Sequence, residues 1–472
     1  MTDWITLLKR AHGADNPAIV AADTTWTGRE LLQHAASALD WLAAIGVPEG
    51  AAVPALLETN GDALALVTAG AAGRRPLALL GPRLTVRELC ACVDGLDAPV
   101  MVAQPEFAEL AGEVAAASGR KFVVVEPFDM SSQSLPSPRP SDPAVILHTS
   151  GTTGAPKAVR YRHDRLARRV IVNAGLQQFE RGSVFATASP FHHIAGLGNI
   201  LVALGAGGTV VAFPKFSVEG WRALADYGVT HALAVPTMIE MLLREDALPL
   251  ATLRVLQYGA SPIHPETLRR AMEALPGVDF LDLYGQTEGS PITCLTPADH
   301  HRAAAGREWL LQSVGRAAPG VEVRIEAPDD QGVGEVTARA AHLFCTSDDG
   351  WLRTGDMGRL DEEGYLYLVG RRGDKIIRGG ENVYPLEIEN VLQEHPQVAD
   401  AAVVGVADRL YGEVVKAFVV PADQNTEPDV EELRTFVRSQ LAGFKVPTEW
   451  AFVPALPRNA TGKLLRRELL SS

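Results

Sequence analysis

The ten residues His148-Thr-Ser-Gly-Thr-Thr-Gly-Ala-Pro-Lys157 gather hydroxyls, glycines and one cation behind the apolar run Ala144–Leu147. Backbone N–H groups and hydroxyls from Thr149, Ser150, Gly151, Thr152, Thr153 and Gly154 can converge on phosphate oxygens, with Lys157 adding positive charge. The order G-x-x-x-x-G-K-[ST] is absent, so this is not a Walker A loop. Asp282-Leu-Tyr-Gly-Gln-Thr-Glu288 sets an aromatic ring, a close-approach glycine, a hydroxyl and an acid side by side. Leu352-Arg-Thr-Gly-Asp356 is expected to end a strand on a carboxylate suited to a ribose diol. Gly370-Arg371 follows, and then Gly379-Gly380-Glu381-Asn382-Val-Tyr-Pro. Asn459-Ala-Thr-Gly-Lys463 holds one lysine on a glycine turn. Together these five strings supply what an enzyme needs to handle a nucleotide and its phosphates.

The elements that must position them are readable from periodicity. The chain has 472 residues, 43 Lys and Arg against 57 Asp and Glu, and a net charge of −14. Its hydrophobic fraction of 47% belongs to a folded globular protein and excludes a disordered one. So acidic a chain lacks the basic face that a nucleic-acid partner requires. Cys90, Cys92, Cys294 and Cys345 are too few and scattered for a disulfide framework, which fits reduced thiols in a cytoplasmic protein. The N-terminus carries no signal-peptide pattern. From Gly182 to Pro214 there is no charged side chain, but the glycines there and His192, His193 and Asn199 point to a buried strand–helix–strand piece, not a membrane span.

Strand-like runs at Ala52–Leu57, Val100–Ala103, Phe122–Val125 and Val145–Leu147 alternate with helical stretches such as Gly61–Gly70, which predicts α/β architecture with helix-covered parallel sheets. Ser131–Pro143 is a Pro/Ser linker. Past Asp356 the texture turns to short hairpin strands. The last hundred or so residues read as a small α+β module, with helices at Pro385–Glu394 and Val430–Leu441 and strands at Ala401–Val406 and Lys416–Val420. The expected division is 1–372 and 373–472.

The five strings, in this order, resemble those of the adenylate-forming superfamily, and most of all its acyl- and aryl-CoA ligases. The likeness runs from Thr27-Gly-Arg-Glu-Leu to Lys463-Leu-Leu-Arg-Arg. It implies a large domain and a small mobile one. It also implies ATP-dependent activation of a carboxylic acid as acyl-AMP, with pyrophosphate released, followed by transfer to coenzyme A. Loading of an acyl carrier protein is the alternative. In this reading Thr149–Gly154 and Lys157 hold the β- and γ-phosphates, and Glu288 with Thr152 serves Mg²⁺. Thr287 lies near the α-phosphate, and Asn382 near the adenylate. Tyr284 stacks on adenine, Gly259-Ala260-Ser261 forms the opposite wall, and Asp282, Leu283 and Gly285 complete it. Asp356 accepts the ribose hydroxyls, Arg371 braces them, and Lys463 bridges carboxylate and α-phosphate.

The resemblance also implies an acyl pocket at Val184, His193, Ile194, Gly196, Met238, Tyr258 and Leu283, with His193 as its gate. No acid stands where amino-acid-activating relatives keep one, so a hydrophobic acid fits better than an amino acid. Arg83, Gly379, Gly380, Glu381, Tyr411 and Lys445 are the coenzyme A candidates, and Gly373 is the hinge. The chain departs from the family pattern at His148, at Ala158, at Asp282 in place of an amide, in a trimmed loop between Glu326 and Trp351, and at Gly373 itself.

Overall fold

The structure is a computed structural model that describes residues 2–12, 15–21, 24–130, 134–150, 156–344, 346–379, 381–424, 426–459 and 462–470. Among these, two large sheets dominate. One has six strands in the order Lys121–Val124, Val100–Ala103, Val53–Leu56, Leu77–Leu79, Pro143–Ser150 and Pro156–Arg162. All its neighbours are parallel except the last pair. The other has nine strands, with a parallel centre from Asp279–Gln286 through Val255–Tyr258, His231–Ala234, Val184–Thr187 and Thr209–Val211 to Pro17–Ala21. Its edge strands are antiparallel.

Helix Gly61–Ala72 explains how the two sheets share one core. Every residue from Ala63 to Ala72 is buried, so this helix has no solvent face. A helix apolar all round must be covered all round. Its Ala63, Leu64 and Leu66 pack in one cluster with Leu31 and Leu42 of helix Gly28–Ala44, Val145 of the first sheet and Ile19 of the second. Two capping boxes, Thr27 with Glu30 and Thr85 with Glu88, start helices where the sequence places S/T-x-x-E.

A four-stranded antiparallel sheet, Glu322–Glu326, Gly334–Arg339, Leu352–Leu360 and Leu366–Arg371, leads to the C-terminal unit. That unit has a five-stranded sheet of its own, with Val398–Asp408 paired along its length to Gly412–Pro421. Ile388 and Leu392 of helix Pro385–Gln393 and Leu433 and Val437 of helix Val430–Gln440 cover it as a separate core. The expected mixed α/β class and the large and small units are present.

Three local expectations need correction. Asp356 sits mid-strand, because Leu352–Leu360 continues past it to pair with Leu366–Arg371. The helix expected within Gly182–Pro214 begins as a π-helix, Ile194–Gly198, and becomes α-helical only over Asn199–Gly205. The linker lies partly at 131–133, outside the described residues. No helix is long and apolar enough to cross a membrane among the described residues.

Candidate active site

Parallel strands Val184–Thr187, His231–Ala234, Val255–Tyr258 and Asp279–Gln286 all end on one side of the nine-stranded sheet. The segments beyond those ends carry Ser189–Gly196, Pro236–Met238, Gly259–Ser261 and Thr287-Glu288, the position at which open α/β sheets bind ligands. Gly259 (φ +136°) and Ala260 (φ +68°) both hold the left-handed region there. A Cβ on Gly259 would come within 2.9 Å of Asp282 Oδ1, so the glycine admits the neighbouring carboxyl. Asp282 is buried, and desolvation raises its pKa to about 7.

Asp356 is the centre of the most heavily bonded part. Its carboxylate accepts from the Tyr284 hydroxyl at 2.6 Å and pairs with Arg371 Nε at 2.7 Å. Strand register delivers Arg371, since it faces Asp356 across the antiparallel pair, while Tyr284 comes from strand Asp279–Gln286 of the nine-stranded sheet. Burial raises the Asp356 pKa, while Arg371, the Tyr284 hydrogen bond and Lys463 oppose that shift.

Lys463 comes from the other unit. Gly462 (φ +78°) seats the turn against the large unit, where a Cβ would stand 3.4 Å from Thr237 Oγ1 and 3.7 Å from Ser261 Oγ. Asn459 Oδ1 accepts from the Lys463 N–H at 2.9 Å, which fixes the turn. The side chain is still open to solvent by area, yet the protein atoms around it lower its pKa by desolvation. Arg371 lowers it further, and Asp356, Asp374 and Glu288 work the other way. Thus Tyr284, Asp356, Arg371, Glu288 and Lys463 form one electrostatic group.

The Thr287-Glu288 turn is clamped through its backbone. The Tyr161 hydroxyl donates to the Thr287 carbonyl, and the Glu288 carbonyl accepts from Phe344 N–H at 2.9 Å. Arg165 in turn donates to the carbonyls of Leu343 and Phe344. Gly285 is required because a Cβ would stand 2.9 Å from the Gly289 carbonyl. Tyr161 and Arg165 were not among the sequence candidates, as neither belongs to a motif string.

In the segment beyond strand Val184–Thr187, the His192 and His193 rings lie 4.2 Å apart. Burial pushes their pKa values down to about 3 and about 4, so both are neutral at pH 7. His192 packs on Gly81, beside exposed Arg83. Met238 is buried at the start of helix Pro236–Arg244.

Three acyl candidates are placed differently from the expectation. Val184 opens its strand beside Thr230, at the sheet edge opposite the ligand-facing ends. Tyr258 turns away to helix Pro297–Ala304, where its hydroxyl donates to His300 Nε2 at 2.8 Å while His300 Nδ1 donates to the Thr296 carbonyl. Leu283 packs with Val255, Leu281 and Cys294, on the face opposite Asp282. The alternation of side chains along a strand explains both of the latter.

The coenzyme A candidates do not gather at the Asp356–Lys463 centre. Lys445 is held by both carboxylate oxygens of Glu387 at 2.7 Å. Tyr411 is 47% exposed, with Arg378 over its ring and its carbonyl accepting from Gly379 N–H at 2.8 Å. Glu381 and Asn382 are exposed on a short strand. Thr149 pairs with exposed Lys157 at the hairpin base, with Ser150 opposite Pro156. Gly151, Thr152, Thr153, Gly154, Cys345 and Gly380 lie outside the described residues.

Gly373 sits in the 3₁₀ turn Arg372–Asp374 with open space at its Cβ position and without a left-handed φ. Its neighbours are tied to different bodies. Arg372 pairs with Glu335 of the large unit at 3.0 Å, and Asp374 pairs with Arg466 of the small one at 3.2 Å.

Comparison with known proteins agrees with this geometry. The profile of the AMP-binding enzyme family matches residues 9–345, and that of the AMP-binding enzyme C-terminal domain matches residues 387–463. A fatty acid–[acyl-carrier-protein] ligase of Streptomyces coeruleorubidus is 34% identical, over 97% of this chain and 93% of its own. A 2-succinylbenzoate–CoA ligase of Bacillus cereus is 32% identical, over 99% of this chain and 98% of its own. The solved amide bond synthetase of Marinactinospora thermotolerans superposes with a TM-score of 0.89 at 30% identity, covering 99% of each chain. With motif order, fold and both profiles in agreement, the chain belongs to the AMP-binding enzyme family.

Proposed function

We propose that the chain is an AMP-forming acid–CoA ligase. An oxygen of a carboxylate attacks the α-phosphorus of ATP, the bond to the bridging oxygen breaks, and pyrophosphate leaves. The thiol sulfur of coenzyme A then attacks the acyl carbon, and AMP departs with the electron pair. The acid has a largely apolar body, in keeping with the buried surroundings of Ile194 and Met238.

The observation that carries this reading is the delivery of Lys463, from the small unit, to the Tyr284–Asp356–Arg371 cluster of the large one. Adenylation joins two anions, so positive charge must be fixed where charge develops. Lys463 supplies it between the carboxylate and the α-phosphate. Asp356 accepts the ribose hydroxyls, Arg371 holds Asp356 in place, and Tyr284 offers its ring to the adenine. His193, neutral at pH 7, acts as a gate and not as a cation. Among the described residues no group of three His, Cys, Asp or Glu could cage a metal. A Mg²⁺ ion would therefore rest on Glu288, and on Thr152 beyond the described residues, with nucleotide oxygens as its other ligands. When bound, it screens the phosphate charge.

For the second step the small unit, 373–472, rotates on Gly373 against 1–372 and brings Gly379, Gly380 and Glu381 to the adenylate. The curated relatives include both a coenzyme A ligase and a carrier-protein ligase. Coenzyme A is favoured by the exposed Tyr411 face, which offers an aromatic surface to an adenine ring. The test is pyrophosphate release with a panel of carboxylic acids, followed by AMP release with coenzyme A or with a holo-carrier protein. Pyrophosphate released with no acid of the panel, or AMP released only by the carrier, overturns this assignment.

A further inference from the structure

Helix His163–Leu176 buries a polar stripe where an apolar one is expected. Arg169 is 1% exposed, Asn173 0%, and the capping Gln177 2%, at four-residue spacing. The stripe faces the π-helix Ile194–Gly198 and the helix after it. Arg169 Nη1 donates to the Gly198 carbonyl at 2.6 Å, and Gln177 Nε2 donates to Asn199 Oδ1 at 3.2 Å. Asn199 Nδ2 in turn donates to the Ala195 carbonyl at 3.0 Å. The close approach is built in. A Cβ on Gly196 would overlap the Pro190 carbonyl, and one on Gly198 would overlap Ile194 and stand 3.3 Å from Arg169 Nη2.

The stripe is under-satisfied. Arg169 Nε, Asn173 Oδ1 and Ser189 Oγ are buried without a hydrogen-bond partner. Among the described residues no carboxylate pairs with Arg169. Its titratable neighbours are Tyr161, whose hydroxyl donates to the Thr287 carbonyl, and buried His342, which bonds the Pro291 carbonyl at 2.9 Å. Desolvation lowers the Arg169 pKa to about 10, which still leaves the guanidinium charged at pH 7. A guanidinium has five donors in a fork shaped for a carboxylate, and one carbonyl uses a fraction of them. Burying an unpaired cation is costly, and a purely structural clamp on Gly198 needs no charge. π-Helical turns recur at functional sites, and this one carries Ile194 and Gly196 and ends on Gly198, whose carbonyl Arg169 holds and whose Cβ position lies between Ile194 and Arg169 Nη2.

We propose that Arg169 is a specificity-determining residue of the acyl site, and that the acid activated here carries a second carboxylate, remote from the reacting one, which Arg169 receives. This rests on the adenylation reading above. An apolar-bodied acid with an anionic far end satisfies both the buried apolar walls and the unpaired guanidinium, by a bidentate ion pair.

The experiment measures pyrophosphate release with matched acids of equal carbon skeleton: adipate against hexanoate, suberate against octanoate, and terephthalate against benzoate. The wild type should favour the diacid of at least one pair by tenfold or more in kcat/KM. Arg169→Gln, which keeps a donor for Gly198, should lose that preference by at least tenfold, with the diacid's KM rising far more than the monoacid's. Arg169→Lys should retain part of the preference. AMP affinity should stay within twofold in both variants, a readout that a collapsed fold would not preserve. The monoacid preferred in every pair, or both members of a pair falling equally in Arg169→Gln, overturns the assignment while adenylation stands. Pyrophosphate released with neither kind of acid by the wild type overturns the adenylation reading as well.

Discussion

The proposed nucleotide end and the proposed acyl end of the site are built by opposite means. At the first, Asp356 is paired with both Tyr284 and Arg371, and strand register delivers Arg371. At the second, Arg169, Asn173 and Ser189 are buried with polar atoms unpaired, beside a π-helix and two histidines kept neutral by burial. Buried polar groups left unsatisfied are expensive, so natural proteins keep few of them. The paired end is held rigid by the protein's own groups, with carboxylate lone pairs left for a ligand's hydroxyls. An end with unpaired groups leaves donors and acceptors for what a ligand would bring.

The largest expected effect tests whether Lys463 belongs to the paired end. Lys463→Ala should lower pyrophosphate release by roughly 100–1000-fold, the scale of losing one preorganised charge or donor. Thioester formation from supplied acyl-AMP should persist within a few fold. Half-reactions assayed separately decide it, and near wild-type pyrophosphate release would remove Lys463 from the chemistry. Next in size is Gly196→Ala, aimed at the end with unpaired groups. The added methyl meets the Pro190 carbonyl, so the segment Ser189–Gly198 must shift, at about 1–3 kcal/mol. Its acid KM should rise about tenfold while AMP affinity holds within twofold. Equal losses in both would show that the two ends are not separable.

A smaller effect concerns the joint between the units. Gly373→Pro fixes φ near −65° and removes an N–H. Adenylation should survive, because the structure already seats Lys463 in the large unit, and thioester formation should fall several-fold as domain movement becomes limiting. Gly373→Asp should be tolerated in both steps, since its Cβ meets open space and the backbone is not left-handed. Losses of equal size in the two half-reactions of the proline variant would move the hinge elsewhere, to Arg372 or Asp374.

Much of the nucleotide end was legible because each group there belongs to a short string whose spacing is fixed by a turn: Tyr284 with Glu288, Gly462 with Lys463. The element pattern was equally plain, down to strand Val100–Ala103 and the start of helix Pro385–Gln393, since period-2 and period-3.6 signals are local. What escaped is non-local. Which face of a strand Tyr258 and Leu283 turn to ligand depends on the pleat's phase relative to a neighbour, and which end of its strand Val184 occupies depends on strand direction. Arg169, Asn173 and Gln177 did leave a signal, a polar i, i+4, i+8 stripe. On an isolated helix that spacing describes a solvated face, and only the second layer over it makes it a buried one.

The smallest effect compares two buried carboxyls, one paired and one not. Asp356 has Arg371, whereas Asp282 has Tyr258 and Cys294 near it, both neutral at pH 7, and among the described residues only the Leu283 N–H as a donor. Burial raises the Asp282 pKa to about 7 in the folded chain, above its value when unfolded. The folded state therefore holds a proton that the unfolded chain has given up, so this contribution to stability is fully present below the unfolded carboxyl's pKa of about 4 and is lost progressively as pH rises from there through the folded value of about 7. From pH 6 to pH 8 the loss is about 1.4 kcal/mol. Asp282→Asn keeps the shape without the titration, so its unfolding free energy in urea should lack that slope and exceed the wild type's most clearly at pH 8. A wild type and variant with the same pH slope would mean that Asp282 stays ionised in the fold, held by a donor or cation that the arrangement around Gly259 does not supply.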